Sequence, residues 1–92
     1  MFKRNYLVIY DISNDKNRRK IVKSLETYGY RVQYSAFECA LNLRTKKILI
    51  KELEKIMLKG DSVRIYKLPA SVYIVGKGEE SYENEPEFLF IY

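Results

Sequence analysis

The 92-residue chain contains no histidine and only one cysteine, Cys39. Without histidine there is no imidazole to serve as a general base or to ligate zinc, and nothing to activate Cys39 as a nucleophile. A lone cysteine also rules out an intrachain disulfide and a thiolate metal cluster. Cys39 therefore reads as a small buried strand residue of a protein that works in a reducing cytoplasm. Long apolar runs are missing too: none approaches the roughly 20 residues that span a bilayer, which predicts no membrane association. The opening MFKRNYLVIYD joins positive charge to an apolar run, but that run meets Asp11 after about six residues and offers no small-residue cleavage site. It reads as a first strand, not a signal peptide. Internal repeats and low-complexity tracts are absent.

Base is absent from the end of the chain. Residues 79–92 hold five Glu and no Lys or Arg, a net of −5, whereas residues 1–78 hold all 17 Lys and Arg against seven acids, a net of +10. A body this basic favours a polyanionic partner, through long-range steering and counterion release. A merely soluble basic surface is the plainer alternative.

The length allows one domain, and so short a chain often gains stability by oligomerising. Tyr6–Tyr10 is a β-prone run ending at Asp11. Ser13, Asn14 and Asp15 suit a helix N-terminus, and Ile21, Val22, Leu25 and Tyr28 at core spacing predict a helix to Tyr28, stopped by Gly29. Tyr30–Leu41 reads as extended, two short strands with a bend near Ser35. A second helix is predicted over Arg44–Lys59, with Leu49, Leu53, Ile56 and Met57 inward and Gly60 closing it. Ser62–Leu68 is the next strand, and Pro69-Ala70 turns the chain into Val72–Val75. This β-α-β-β-α-β order predicts an α+β, ferredoxin-like sandwich over residues 1–76. Residues 77–92 read as an acidic linker followed by an extra C-terminal strand at Phe88–Tyr92. Two helices cover one face of a four-stranded sheet, yet Tyr6–Tyr10 and Val72–Val75 are apolar at every position, so both faces need burial. The simplest cover is a second copy, which predicts a homodimer; the tail strand would add to a sheet edge, such as the partner's.

Asp11, at the carboxyl end of the first strand, is the leading candidate for chemistry, on a rigid scaffold open to solvent. A single carboxylate holds Mg²⁺ when water and a substrate phosphate complete the octahedron, and a two-fold dimer would place two Asp11 residues around one phosphodiester. Asp11 making only an Asx-type turn into the helix is the structural alternative. Asp15 reads as a first-turn helix residue. Arg18, Arg19, Lys20 and Lys23 form a dense basic segment; Arg19 and Lys23 share a face, and Arg18, nearer the buried side, could pair with Asp11 or grip a phosphate. Tyr30–Glu38 interleaves aromatics with Arg31, a pattern that stacks bases or packs a core, with Phe37 read as core. Without histidine, any hydrolysis would rely most economically on a metal-activated water.

Four segments in register, Tyr6-Leu-Val-Ile-Tyr-Asp-Ile12, Arg18-Arg-Lys20, Tyr28-Gly-Tyr-Arg-Val-Gln-Tyr-Ser-Ala-Phe-Glu38 and Asp61-Ser-Val-Arg-Ile-Tyr66, resemble the CRISPR-associated protein two family over most of residues 5–68. The resemblance implies a ferredoxin-like homodimer with facing sheets that partners the CRISPR integrase during spacer capture, supporting the duplex on basic surface. It also implies metal-dependent endonuclease activity on RNA or DNA, with Asp11 as catalytic residue and ligand of Mg²⁺ (or Mn²⁺). Arg18 and Arg31 match basic positions implicated in activity, Phe37 matches the aromatic of the S-x-F element that Ser35 begins, and Tyr10, Ser35 and Phe37 are read as supporting residues. Lys20 stands where some relatives carry Arg, keeping the charge but losing the bidentate grip. Two readings follow, a nuclease and a non-catalytic DNA-binding scaffold, and both need the same basic dimer. A third is an RNA-recognition or small-molecule regulatory module on the same fold; the missing RNP1 pattern argues against the first and the basicity against the second, and a toxin-type RNase on this scaffold is a further alternative.

Overall fold

The computed structural model describes residues 2–69. The elements are β1 (Arg4–Asp11), α1 (Asp15–Glu26), β2 (Gly29–Gln33), β3 (Ala36–Leu41), α2 (Leu43–Ile56) and β4 (Ser62–Lys67). The strands form one antiparallel sheet in the order β2-β3-β1-β4. β1, the α1 crossover and β2 make a βαβ unit split by β3, which is the expected ferredoxin-like plan. The strands predicted at Val72–Val75 and Phe88–Tyr92, and the linker between them, lie outside the described residues.

Side chains alternate across a strand, and this sorts the apolar run of β1 into two sets. Tyr6, Val8 and Tyr10 join Ile12, Phe37, Cys39 and Leu41 beneath the buried Ile21 and Leu25 of α1 and Leu49 and Leu53 of α2. Full burial of each such aliphatic side chain contributes about 1.5–3 kcal/mol. Leu7, Ile9 and Asp11 point to the opposite, outer face. The register lays Tyr30, Glu38, Leu7 and Tyr66 in one row across that face, with Ala36, Ile9 and Arg64 in the next. Leu7 and Glu38 are buried, whereas Tyr30 and Tyr66 are each 37% exposed.

Both helices end earlier than periodicity predicts. α1 begins where the polar cluster placed it, with the Asn14 side chain accepting the Asn17 N–H, but its C-cap is Thr27. Gly29 is not a helix stop. It opens β2, and a Cβ there would collide with the Glu38 carbonyl oxygen, so the residue is small because β3 runs against it. α2 starts from a capping box between Asn42 and Thr45 and stops at Ile56, three residues before the predicted Lys59. Gly60, at φ +93°, turns the loop that follows and does not close the helix.

Candidate nucleic-acid and metal site

Asp11 lies exposed at the end of β1, paired in register with Ser62 of β4. Its carboxylate makes no hydrogen bond or ion pair with the described residues. The chain immediately beyond it is held from two sides. From α1, Arg18 donates to the Ile12 carbonyl through Nε (3.1 Å) and Nη2 (3.0 Å) and reaches the Ser13 carbonyl at 3.5 Å. From the α2–β4 loop, Asp61 Oδ1 accepts the Ser13 N–H at 3.2 Å and its hydroxyl at 3.3 Å, while Oδ2 accepts the Leu58 N–H at 2.8 Å.

Arg18 therefore differs from the sequence expectation of an Asp11 partner. Its Nη1 pairs with Asp15 at 2.7 Å, and the rest of the guanidinium serves the loop. The planar fork that suits a phosphate also suits converging carbonyl oxygens. Arg18 still lines a depression of about 300 Å³ shared with Asp15, Arg19, Val22 and Arg31, so three of the predicted cations meet there. Arg19, Lys20 and Lys23 are exposed on α1. Arg31 sits with its guanidinium carbon 5.7 Å from the centre of the Phe37 ring, a cation–π arrangement that holds it in place.

Of the three supporting residues, Tyr10 and Phe37 meet on the inner side of the sheet, and Ser35, in the β2–β3 turn, joins them through its backbone. Tyr10 is 2% and Phe37 1% exposed, with ring centroids 6.3 Å apart and planes tilted by 44°. The Tyr10 hydroxyl donates to the Tyr34 carbonyl at 3.3 Å, and its N–H to the Ser35 carbonyl at 3.0 Å. Together they lock the β2–β3 turn to β1 beneath Arg31. Cys39 is fully buried, and its thiol is pushed up to about 11 by that burial and by the neighbouring Glu38 charge. It stays protonated at neutral pH and is no nucleophile.

Asp61 is the residue whose role sequence reasoning missed. Its backbone N–H bonds accepted from Leu58 and Ser13 hold its carboxyl below the usual 3.8, with the Ser13 hydroxyl adding to them. A group depressed in the folded state stabilises it above the unfolded value and loses that contribution as pH falls through the folded one. Amide-exchange protection of Ser13 and Leu58 is thus expected to be full above pH 3.8 and to collapse in stronger acid. An Asp61→Asn variant should lack most of that acid step. Protection unchanged by acid in the wild type would remove Asp61 as the tie.

Among the described residues, no three His, Cys, Asp or Glu side chains converge as a metal cluster. Asp15 and Asp61 are engaged elsewhere, so one copy offers one free carboxylate here. This donor set suits Mg²⁺, which keeps several waters and takes one or two carboxylates plus substrate phosphates. No helix of the described residues is long and apolar enough to cross a membrane.

Comparison with known proteins places these features in a family. A family model, "CRISPR associated protein Cas2", matches residues 4–74. A curated relative from Chloroflexus aurantiacus, named CRISPR-associated endoribonuclease Cas2 1, is 46% identical over 79 residues, covering 79% of this chain and 85% of its own. The crystal structure of a hypothetical protein from Thermus thermophilus superposes with a TM-score of 0.77 at 40% identity, over 84% of this chain and 95% of that one. A chain from a partial Cas6-RT-Cas1–Cas2 complex superposes with a TM-score of 0.67 at 32% identity, over 75% of this chain and 81% of its own.

Proposed function

The chain belongs to the CRISPR associated protein Cas2 family, and from that premise we propose that two copies pair through their outer sheet faces to form a nucleic-acid-binding, Mg²⁺-dependent endonuclease. In the cytoplasm this dimer works with a CRISPR integrase in capturing new spacers. The observation that carries the nuclease reading is Asp11: a free carboxylate on the outer face, at a strand end pinned by Arg18 and Asp61. Pairing is supported by the outer face itself. Its centre is Leu7, Ile9, Ala36 and Ala40 around the buried Glu38, whose Oε2 accepts the Tyr30 hydroxyl at 2.7 Å, with Tyr30 and Tyr66 at the flanks and both helices on the other side. A two-fold axis through this face would give each Asp11 a symmetry mate. The integrase partnership is supported by the similarity of this chain to a chain of the partial Cas6-RT-Cas1–Cas2 complex.

Each residue then has a task. Asp11 and its mate are the residues that would hold the cation, while Arg19, Lys20, Lys23 and Arg31 would hold the phosphate backbone. Arg18 keeps the loop that follows Asp11 in shape. When bound, Mg²⁺ supplies Lewis-acid stabilisation of the charge that builds on the phosphodiester. A second reading, a scaffold that binds DNA without cutting it, is favoured by a specific observation: among the described residues, each chain brings one unengaged carboxylate to this site.

The deciding experiment incubates the purified protein with labelled RNA and with labelled duplex DNA in Mg²⁺, then after chelation, then with Mg²⁺ restored. Cleavage of at least one substrate that stops on chelation and resumes on restoration is the expected result. No cleavage of either, by a protein that still binds them, would overturn the nuclease and leave the scaffold.

A further inference from the structure

On α2, Arg44, Lys47, Lys51 and Lys55 are all exposed. At 100° per residue these spacings of three, four and four put them in one stripe along the helix. The stripe lies opposite Leu49 and Leu53, which are buried in the core. It therefore faces away from the sheet and from the outer face that carries Asp11. From Arg44 to Lys55 it runs about 16 Å, the axial rise of about five nucleotide steps of one strand.

The arrangement is poor for an isolated helix. Lys47–Lys51 and Lys51–Lys55 are like-charge pairs at i, i+4, which destabilise a helix. Arg44 stands in a first turn that holds no acid, against the positive end of the helix dipole. An ordinary solvated face would relieve this with interleaved acids. The two acids of α2 flank the stripe, Glu54 three positions after Lys51 and Glu52 three before Lys55, but neither makes an ion pair with the described residues: Glu52 accepts the Ser24 hydroxyl at 2.8 Å, and Glu54 borders an apolar groove with Ile50, Met57 and Val63. None of the four cations makes an ion pair or a hydrogen bond through its side chain with the described residues.

We propose that the Arg44–Lys47–Lys51–Lys55 stripe of α2 is a second nucleic-acid track, which grips the sugar–phosphate backbone of a duplex on the helical side of the molecule, away from the Asp11 edge. An anionic backbone turns the three electrostatic liabilities into contacts. In a dimer paired through the outer sheet faces, the two stripes lie on opposite outsides, so one assembly could hold duplex at positions distinct from the cleavage site. This rests on the nucleic-acid reading above, but not on the nuclease.

The test compares two variants of equal charge: Lys47→Gln/Lys51→Gln/Lys55→Gln on the stripe, and Lys3→Gln/Lys59→Gln/Lys67→Gln off it. Gln keeps the helix propensity of Lys, and circular dichroism checks that both variants fold. Affinity for a short mixed-sequence DNA duplex is measured from about 50 to 200 mM salt. Each lost phosphate contact lowers the slope of log K against log salt by about 0.9. The stripe variant is expected to lose about two to three units of slope, and the control less than one. Equal flattening by both variants, or none by the stripe variant, overturns the track while nucleic-acid binding stands. A wild-type protein with a flat salt response would instead overturn the nucleic-acid reading beneath it.

Discussion

Phe37→Ala is expected to lower folding stability by about 3–5 kcal/mol, the usual result of emptying a buried aromatic site. Domains of this kind hold about 5–15 kcal/mol in total, so the variant should sit near the edge of folding. The ring is 1% exposed and packs on Tyr10, and it also carries the Arg31 guanidinium on its face. One truncation thus opens a cavity and frees a cation of the basic depression. Urea denaturation measures the loss, as a lower midpoint with the slope preserved. Phe37→Leu keeps most of the volume and should cost less, while still removing the cation–π contact. Unchanged stability together with lost cleavage would mean that the ring acts on the nucleic acid directly.

Asp11→Asn should leave the fold intact and remove cleavage. The side chain is exposed and makes no hydrogen bond or ion pair with the described residues, so the isosteric change should alter stability by no more than about 0.5 kcal/mol. The amide lacks the charge that holds a hard cation, and losing a metal's stabilisation of several kcal/mol lowers the rate about a hundredfold or more. Nucleic-acid affinity should hold or rise, because a negative charge leaves a phosphate-binding surface. Cleavage that persists at the wild-type rate would take Asp11 out of the reaction.

The sequence made the sheet and the start of α1 readable for identifiable reasons. Asn14, in the polar cluster read as a helix start, caps α1 with its own side chain, whereas the Asn42 cap of α2 went unread and that start was placed one residue late, at Arg44; the apolar run of β1 is too short for anything but a strand. The ends were harder. Ile56, Met57 and Leu58 continue the helical pattern of α2, but the Met57 backbone is extended and the Leu58 N–H is taken by Asp61. Gly29 looked like a stop because glycine often ends a helix, when its smallness answers to β3 alongside it.

At the site, Asp11 was legible because a carboxylate after an apolar strand stands out locally. The clamp around it was not. Arg18 binds backbone carbonyls, which leave no mark on side-chain patterns, and Asp61 reaches Ser13 across 48 positions of sequence. A local reading sees in Arg18 only a cation that could meet a phosphate. The Tyr10–Phe37 pair is similar: both rings were readable as aromatic, but their meeting depends on β1 lying beside β3.

The most direct test of the paired-carboxylate account mixes wild-type protein with Asp11→Asn, lets subunits exchange, and follows Mg²⁺-dependent cleavage against composition. If the two Asp11 carboxylates of a two-fold dimer act on one phosphodiester, an equal mixture should retain about a quarter of the activity, since only all-wild-type dimers cut. Retention of about a half, falling linearly with the wild-type fraction, would mean that each copy cuts alone and would contradict the shared site.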